Sequence, residues 1–87
     1  MPEISRFLGI VVQMYFNKHN PPHFHVKYNN YRAQIDIETL RIIGGHLPPK
    51  VFSLVVKWAS IYQEDLRKNW RNILENGTFT KINPLEE

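Results

Sequence analysis

Residues His19-Asn20-Pro21-Pro22-His23-Phe24-His25 gather three of the four histidines and two of the six prolines into seven positions. Histidine titrates nearest neutral pH, moves protons and binds metals. Pro21-Pro22 restricts the backbone just ahead of His23 and His25, so these rings are held in place. A carboxylate beside an imidazole orients the ring, selects its tautomer and favours its protonated form. His23 with Asp36 is therefore the first candidate for general acid–base chemistry, with His25 and His19 alongside. Lys18, Lys27, Arg32 and Arg41 are candidates for binding an anion or nucleic acid and for stabilising charge on a phosphoryl group. No serine or cysteine nucleophile motif is visible. Metal-independent RNA cleavage, with histidine activating a ribose 2′-hydroxyl, is the enzyme chemistry these residue types permit.

Two other readings stand beside it. His19, His23 and His25 have the residue type and nearness for three imidazole ligands to a divalent metal, with Asp36 as a fourth or supporting group. The residue types also fit a structural role, in which Asp36 satisfies His23, Gln34 satisfies His25, and His19 and the prolines shape a strand entry. No other cofactor is expected.

These side chains need a sheet to position them. Gly9 to Phe16 is β-branched and aromatic and reads as a strand; Asn17 to Pro22 reads as the loop leaving it. His23 to Tyr28 alternates polar and apolar, Asn29-Asn30 interrupts, and Tyr31 to Ile37 alternates again. Asparagine tolerates positive φ, so a two-residue turn at Asn29-Asn30 is expected. That turn pairs Tyr28 with Tyr31, Val26 with Ala33 and Phe24 with Ile35 on an apolar face. On the other face it pairs Lys27 with Arg32, His25 with Gln34 and His23 with Asp36. A one-residue slip would mix the faces. Leu40 to Ile43 reads as a further strand after a tight Glu38-Thr39 connection that brings Arg41 beside Asp36, and Gly44-Gly45-His46 ends the sheet.

From Pro48 to about Glu75 the period becomes helical. Val51, Leu54, Val55, Trp58, Tyr62, Leu66, Trp70 and Ile73 recur at three- and four-residue steps. Pro48 suits the first helical turn and Gly77 the stop. The polar stretch Gln63 to Lys68 would allow a break, but one continuous helix is favoured. Phe24, Tyr28, Tyr31, Trp58 and Trp70 read as core, although aromatic groups can also stack on RNA bases. Lys57, Glu64, Arg67, Lys68 and Arg71 read as a solvated helix face. Thr78 to Ile82 reads as an extended tail against the body. The expectation is α+β: an antiparallel sheet of about four strands, within residues 4–43, packed against one long C-terminal helix at about 48–75. Residues 1–87 then form a single domain with a short tail at 78–87.

Composition excludes some classes. The chain of 87 residues has no cysteine, so disulfides and thiolate metal sites are ruled out. No apolar run nears the ~20 residues that span a bilayer, and Met1 to Arg6 does not read as a signal peptide. A cytoplasmic protein without a membrane partner is expected. The formal charge is +3, yet Ser5 to Pro84 holds 11 basic residues against 5 acidic ones. Such a body suits an acidic partner or RNA, although a solvated basic surface reads the same way.

Pro2-Glu3-Ile4-Ser5-Arg6-Phe7, the block from Tyr15 to His25, Ile35-Asp36-Ile37, Leu47-Pro48, Trp58-Ala59, Asn69-Trp70 and Lys81 to Leu85 together resemble a bacterial family, domain of unknown function 4160 (DUF4160). Its motif covers His19, Pro21, Pro22, His23, His25 and Asp36. Members are often encoded beside a small protein of domain of unknown function 2442 (DUF2442). The resemblance therefore implies the toxin component of a type II toxin–antitoxin module, with a DUF2442-like antitoxin as partner and RNA or the translation machinery as target. The alternative is a non-enzymatic regulatory or protein-interaction module whose histidines are structural.

Overall fold

Two tight turns organise the first half of the chain. The computed structural model describes residues 2–16 and 20–86. Strand β1 (Glu3–Phe7) and strand β2 (Ile10–Gln13) are joined at Leu8 and Gly9, whose φ angles are 52° and 78°. Left-handed backbone at both central residues matches the twist of a two-residue hairpin. Leucine is a poor signal for such a turn, so this hairpin is not legible in the sequence. The strand expected from Gly9 to Phe16 is β2 alone, preceded by an unforeseen β1.

Strand β3 (His23–Tyr28) and strand β4 (Tyr31–Asp36) meet at Asn29, with φ 51°. All six pairings follow the expected register, from Tyr28 opposite Tyr31 to His23 opposite Asp36. Strand β5 (Ile42–Gly45) starts two residues later than expected and includes Gly44 and Gly45. The cause lies in the turn before it. Asp36 Oδ1 accepts from the backbone N–H of Glu38 and Thr39, at 2.7 and 3.0 Å, and Leu40 takes φ 57°. The turn thereby runs through Leu40, and the pairing of β4 with β5 carries a bulge near Gln34 and Ile35. The sheet is antiparallel in the order β1-β2-β3-β4-β5, so it has five strands spanning residues 3–45 where about four within 4–43 were expected.

One face of this sheet is the core. Ile4, Val12, Phe24, Val26, Ala33 and Ile35 are buried there against Trp58, which has no exposed surface. The Trp58 ring lies 5.4 Å from Phe7 and 6.1 Å, edge-on, from Phe24. Tyr31 departs from the expected core: it is 41% exposed and faces His46, because it sits at the hairpin tip beyond the reach of the helices.

The single long helix expected at about 48–75 is instead two: α1 (Pro49–Ile61) and α2 (Gln63–Asn76), meeting at Tyr62 with φ −110° and ψ 27°. Polar contacts explain the break. Gln63 Nε2 donates to the carbonyls of Ile37 and Glu38, at 2.8 and 3.2 Å. Arg67 makes a two-pronged pair with Glu38, at 2.8 and 2.9 Å, and also binds Glu64. These contacts steer α2 onto the β4–β5 turn, and part of the face read as solvated is a tertiary contact. Such forked pairs fix geometry as well as charge.

The tail is bonded to the body at several points. Asn69 is buried, with Nδ2 donating to the Thr80 carbonyl at 2.8 Å and Oδ1 accepting the Thr80 N–H at 2.9 Å. Trp58 Nε1 donates to the Asn83 carbonyl at 2.8 Å, and the Ile82 N–H donates to Ile4 of β1 at 2.7 Å. Ile82 and Leu85 are buried and complete the core. Removing one side of a buried hydrogen bond costs roughly 1–3 kcal/mol per orphaned group. Asn69→Ala is therefore expected to lower unfolding stability by about 2–4 kcal/mol, read as a urea midpoint shift. A variant within about 0.5 kcal/mol of the parent would show that the tail does not close the core.

Candidate functional site

Strand alternation sends Gln13, His25, Lys27, Arg32 and Gln34 to the face away from the helices, and Lys27, Arg32 and Gln34 are exposed there. His25 is half-buried. Its ring stacks on Tyr15 at 3.9 Å and 18°, and its Nε2 is shielded from solvent with no hydrogen-bond partner. Burial, and then the neighbouring His23, hold the His25 pKa below the ordinary 6.5. The ring is thus a neutral imidazole at neutral pH, the form that accepts a proton.

His23 is differently placed. Only 7% exposed, its Nδ1 lies 2.7 Å from the Pro21 carbonyl, a contact that assigns the N–H to Nδ1. Its ring packs at 5.4 Å against Trp70 of α2 and at 5.2 Å against His25. The Asn20–Pro21 peptide bond just before it is cis.

The expected His23–Asp36 dyad is not formed, although the two residues oppose each other in the register. The Asp36 carboxylate turns to the N–H groups of Glu38 and Thr39. Two backbone donors fixed by the turn hold a strand-end carboxylate better than an imidazole already donating elsewhere. The expected support of His25 by Gln34 is also missing: the two are paired in register, but Nε2 is unbonded.

Lys27 and Arg32 stand opposite each other as expected, and among the described residues neither has a carboxylate within ion-pair distance. Arg41 meets Asp36 through its backbone, whose carbonyl accepts the Asp36 N–H at 2.9 Å, while its side chain stays exposed. The candidates His19 and Lys18 lie outside the described residues. Among the described residues no group of three His, Cys, Asp or Glu side chains is placed to hold a metal, so His23, His25 and Asp36 do not assemble the anticipated ligand set.

Two clefts open on this face and meet at His25. One, of about 270 Å³, is lined by Gln13, Tyr15, His25, Lys27, Arg32 and Gly45 among others. The second, of about 450 Å³, shares Tyr15, His25 and Gln34 and adds Pro21, His23 and Ile43. Sequence reasoning missed Gln13 and the β5 glycines. The alternation within β2 was a usable signal for Gln13, once its register with His25 was known. Gly45 has φ 79°, and a Cβ there would lie 2.1 Å from the Arg32 carbonyl oxygen, so only glycine closes this wall.

Residues 9–71, which include every described residue of this site, match the family model described as Domain of unknown function (DUF4160). The chain belongs to that family. No curated protein and no solved structure matches. Among the described residues no helix is long and apolar enough to cross a membrane.

The depressed pKa of His25 sets a pH dependence. Folding favours its neutral form, so that contribution is complete above 6.5 and is lost as pH falls through the lowered folded value. Glu3 and Glu38, held low by Arg6 and Arg67, lose theirs only below their ordinary 4.5. Urea midpoints of the parent are expected to fall as pH drops below 6.5, and those of His25→Gln to stay flatter there. Parallel profiles would show that His25 is not the group responsible.

Proposed function

We propose that this chain is the toxin component of a toxin–antitoxin pair and that it acts on RNA through the open face of its sheet. The observation that carries this reading is a neutral, half-buried His25 in one cleft with Lys27 and Arg32, which are paired with no carboxylate among the described residues. Lys27 and Arg32, side by side without a carboxylate, repel each other until an anion lies between them. A phosphodiester is such an anion, and forked contacts from arginine suit its oxygens.

With the phosphate there, the His25 imidazole, which lines both clefts, takes the proton of the adjacent ribose 2′-hydroxyl. The 2′-oxygen attacks phosphorus, the P–O5′ bond breaks, and the departing 5′-oxygen takes a proton from water. The products are a 2′,3′-cyclic phosphate and a 5′-hydroxyl, and no metal is needed. Lys27 and Arg32 stabilise the charge that builds on the phosphoryl oxygens. Tyr15, stacked on the imidazole, takes the orienting role that Asp36 does not fill. The toxin assignment, its DUF2442-like antitoxin partner and a cytoplasmic location rest on the family resemblance.

A second reading is favoured by His23, which is buried, bonded to the Pro21 carbonyl and packed on Trp70. Those are the contacts of a structural histidine, and they fit a module that binds without cutting.

Expression of the chain alone is expected to slow growth, and His25→Gln or Lys27→Glu to relieve it with folded protein still present. In vitro, with chelator, the parent should leave 2′,3′-cyclic phosphate ends on RNA, and His25→Gln should lower that rate about 10²-fold or more. RNA bound but uncut would establish the binding module. Folded protein that neither binds RNA nor slows growth would end the RNA reading.

A further inference from the structure

The two edges of the sheet are treated differently. The edge of β1 is covered by the tail, through the Ile82 N–H on the Ile4 carbonyl, and β1 also carries the Glu3–Arg6 ion pair. The edge of β5 has neither. Among the described residues no hydrogen bond reaches its outer side. Its sequence, Ile-Ile-Gly-Gly, has no charge and no proline. Ile43 is 44% exposed, and the glycines after it put no side chain in the way of an approaching backbone. Edge strands are ordinarily protected by charge, proline, a bulge or a covering segment. β5 has only the bulge in its pairing with β4.

The charges around β5 say what suits this edge. Arg41 immediately precedes the strand, and Arg32 lies at its far end, where the His46 N–H donates to the Arg32 carbonyl at 2.9 Å. Both side chains are exposed, and among the described residues neither is paired with a carboxylate. The acids nearest in sequence are engaged: Asp36 in its turn and Glu38 on Arg67. A four-residue strand with Arg41 just before it and Arg32 on the neighbouring strand at its far end is a template for an extended segment with acidic residues at both ends. A second copy of this basic chain would bring the same arginines together again.

We infer that the free edge of β5 receives an extended acidic segment of a partner protein as a sixth strand. Backbone hydrogen bonds hold the segment, Ile43 packs on its apolar residues, and Arg32 and Arg41 select its charge. Ile43 and Gly45 also line the clefts that hold His25, so the added strand walls them on one side. The docking surface stands independently of the RNA reading. Occlusion of the site by the docked strand rests on that reading.

The test uses the full-length ¹⁵N-labelled chain and two synthetic eight-residue peptides, one alternating valine with glutamate and the other valine with lysine. The glutamate peptide is expected to shift the amides of Ile42 to Gly45 and slow their hydrogen exchange, with no such effect from the lysine peptide. Ile43→Asp and Arg41→Glu should each weaken that binding by about tenfold or more, with the remaining amide spectrum showing the fold intact. The surface proposal is overturned if both peptides bind equally, if the shifts lie elsewhere, or if no shift appears at millimolar peptide. It is also overturned if dilution alone shifts the β5 amides, since a second copy would then be the occupant. Competition is read separately, by anisotropy of a labelled RNA. Peptide bound at β5 without loss of RNA affinity overturns the occlusion, and RNA that never binds overturns the RNA reading alone.

Discussion

The phase of the β3–β4 hairpin governs the rest of the molecule. With the turn at Asn29, Phe24, Val26, Ala33 and Ile35 all face the helices, and His25, Lys27, Arg32 and Gln34 all face away. A slip by one residue would exchange the two sets. Burying one large apolar side chain is worth roughly 1.5–3 kcal/mol, so exposing three of these would cost on the order of 5 kcal/mol before any buried charge is counted. That is comparable to the whole stability of a small domain, about 5–15 kcal/mol. The core therefore enforces the register, and the register delivers the imidazole and the cations to one open surface.

What lies on the covered face is held from three directions. Trp58 anchors α1 on Phe7 and Phe24, Gln63 and Arg67 tie α2 to the β4–β5 turn, and the tail is clasped by Asn69. A chain this short has little interior to spare, and the tail supplies Ile82 and Leu85 to complete it. The same tail shields one edge of the sheet, and among the described residues nothing bonds to the other edge.

The two strand histidines have parted roles despite being two residues apart. His23, at the strand entry, is bonded back to Pro21 and wedged against Trp70, so it belongs to the framework. His25 has an aromatic neighbour, a lowered pKa and a place in both clefts, so it is the ring on which the proposed chemistry rests. Asp36 serves the turn. A motif that looks uniform in the sequence is divided between structure and site by what surrounds each ring.

The amino-acid sequence by itself determined the hairpin register, the division into two faces, the helical second half and the family, because alternation and turn chemistry are local and repeat along the chain. It did not reveal the Leu8–Gly9 hairpin, since leucine disfavours left-handed backbone and gives no turn signal. It allowed the break at Tyr62 but could not decide it, because the break depends on carbonyls of Ile37 and Glu38 some 25 residues away in sequence. The fate of Asp36 also belonged to the tertiary structure. Register places a residue opposite a partner, but competing donors decide where its carboxylate points, and those donors are known only when the turn is built.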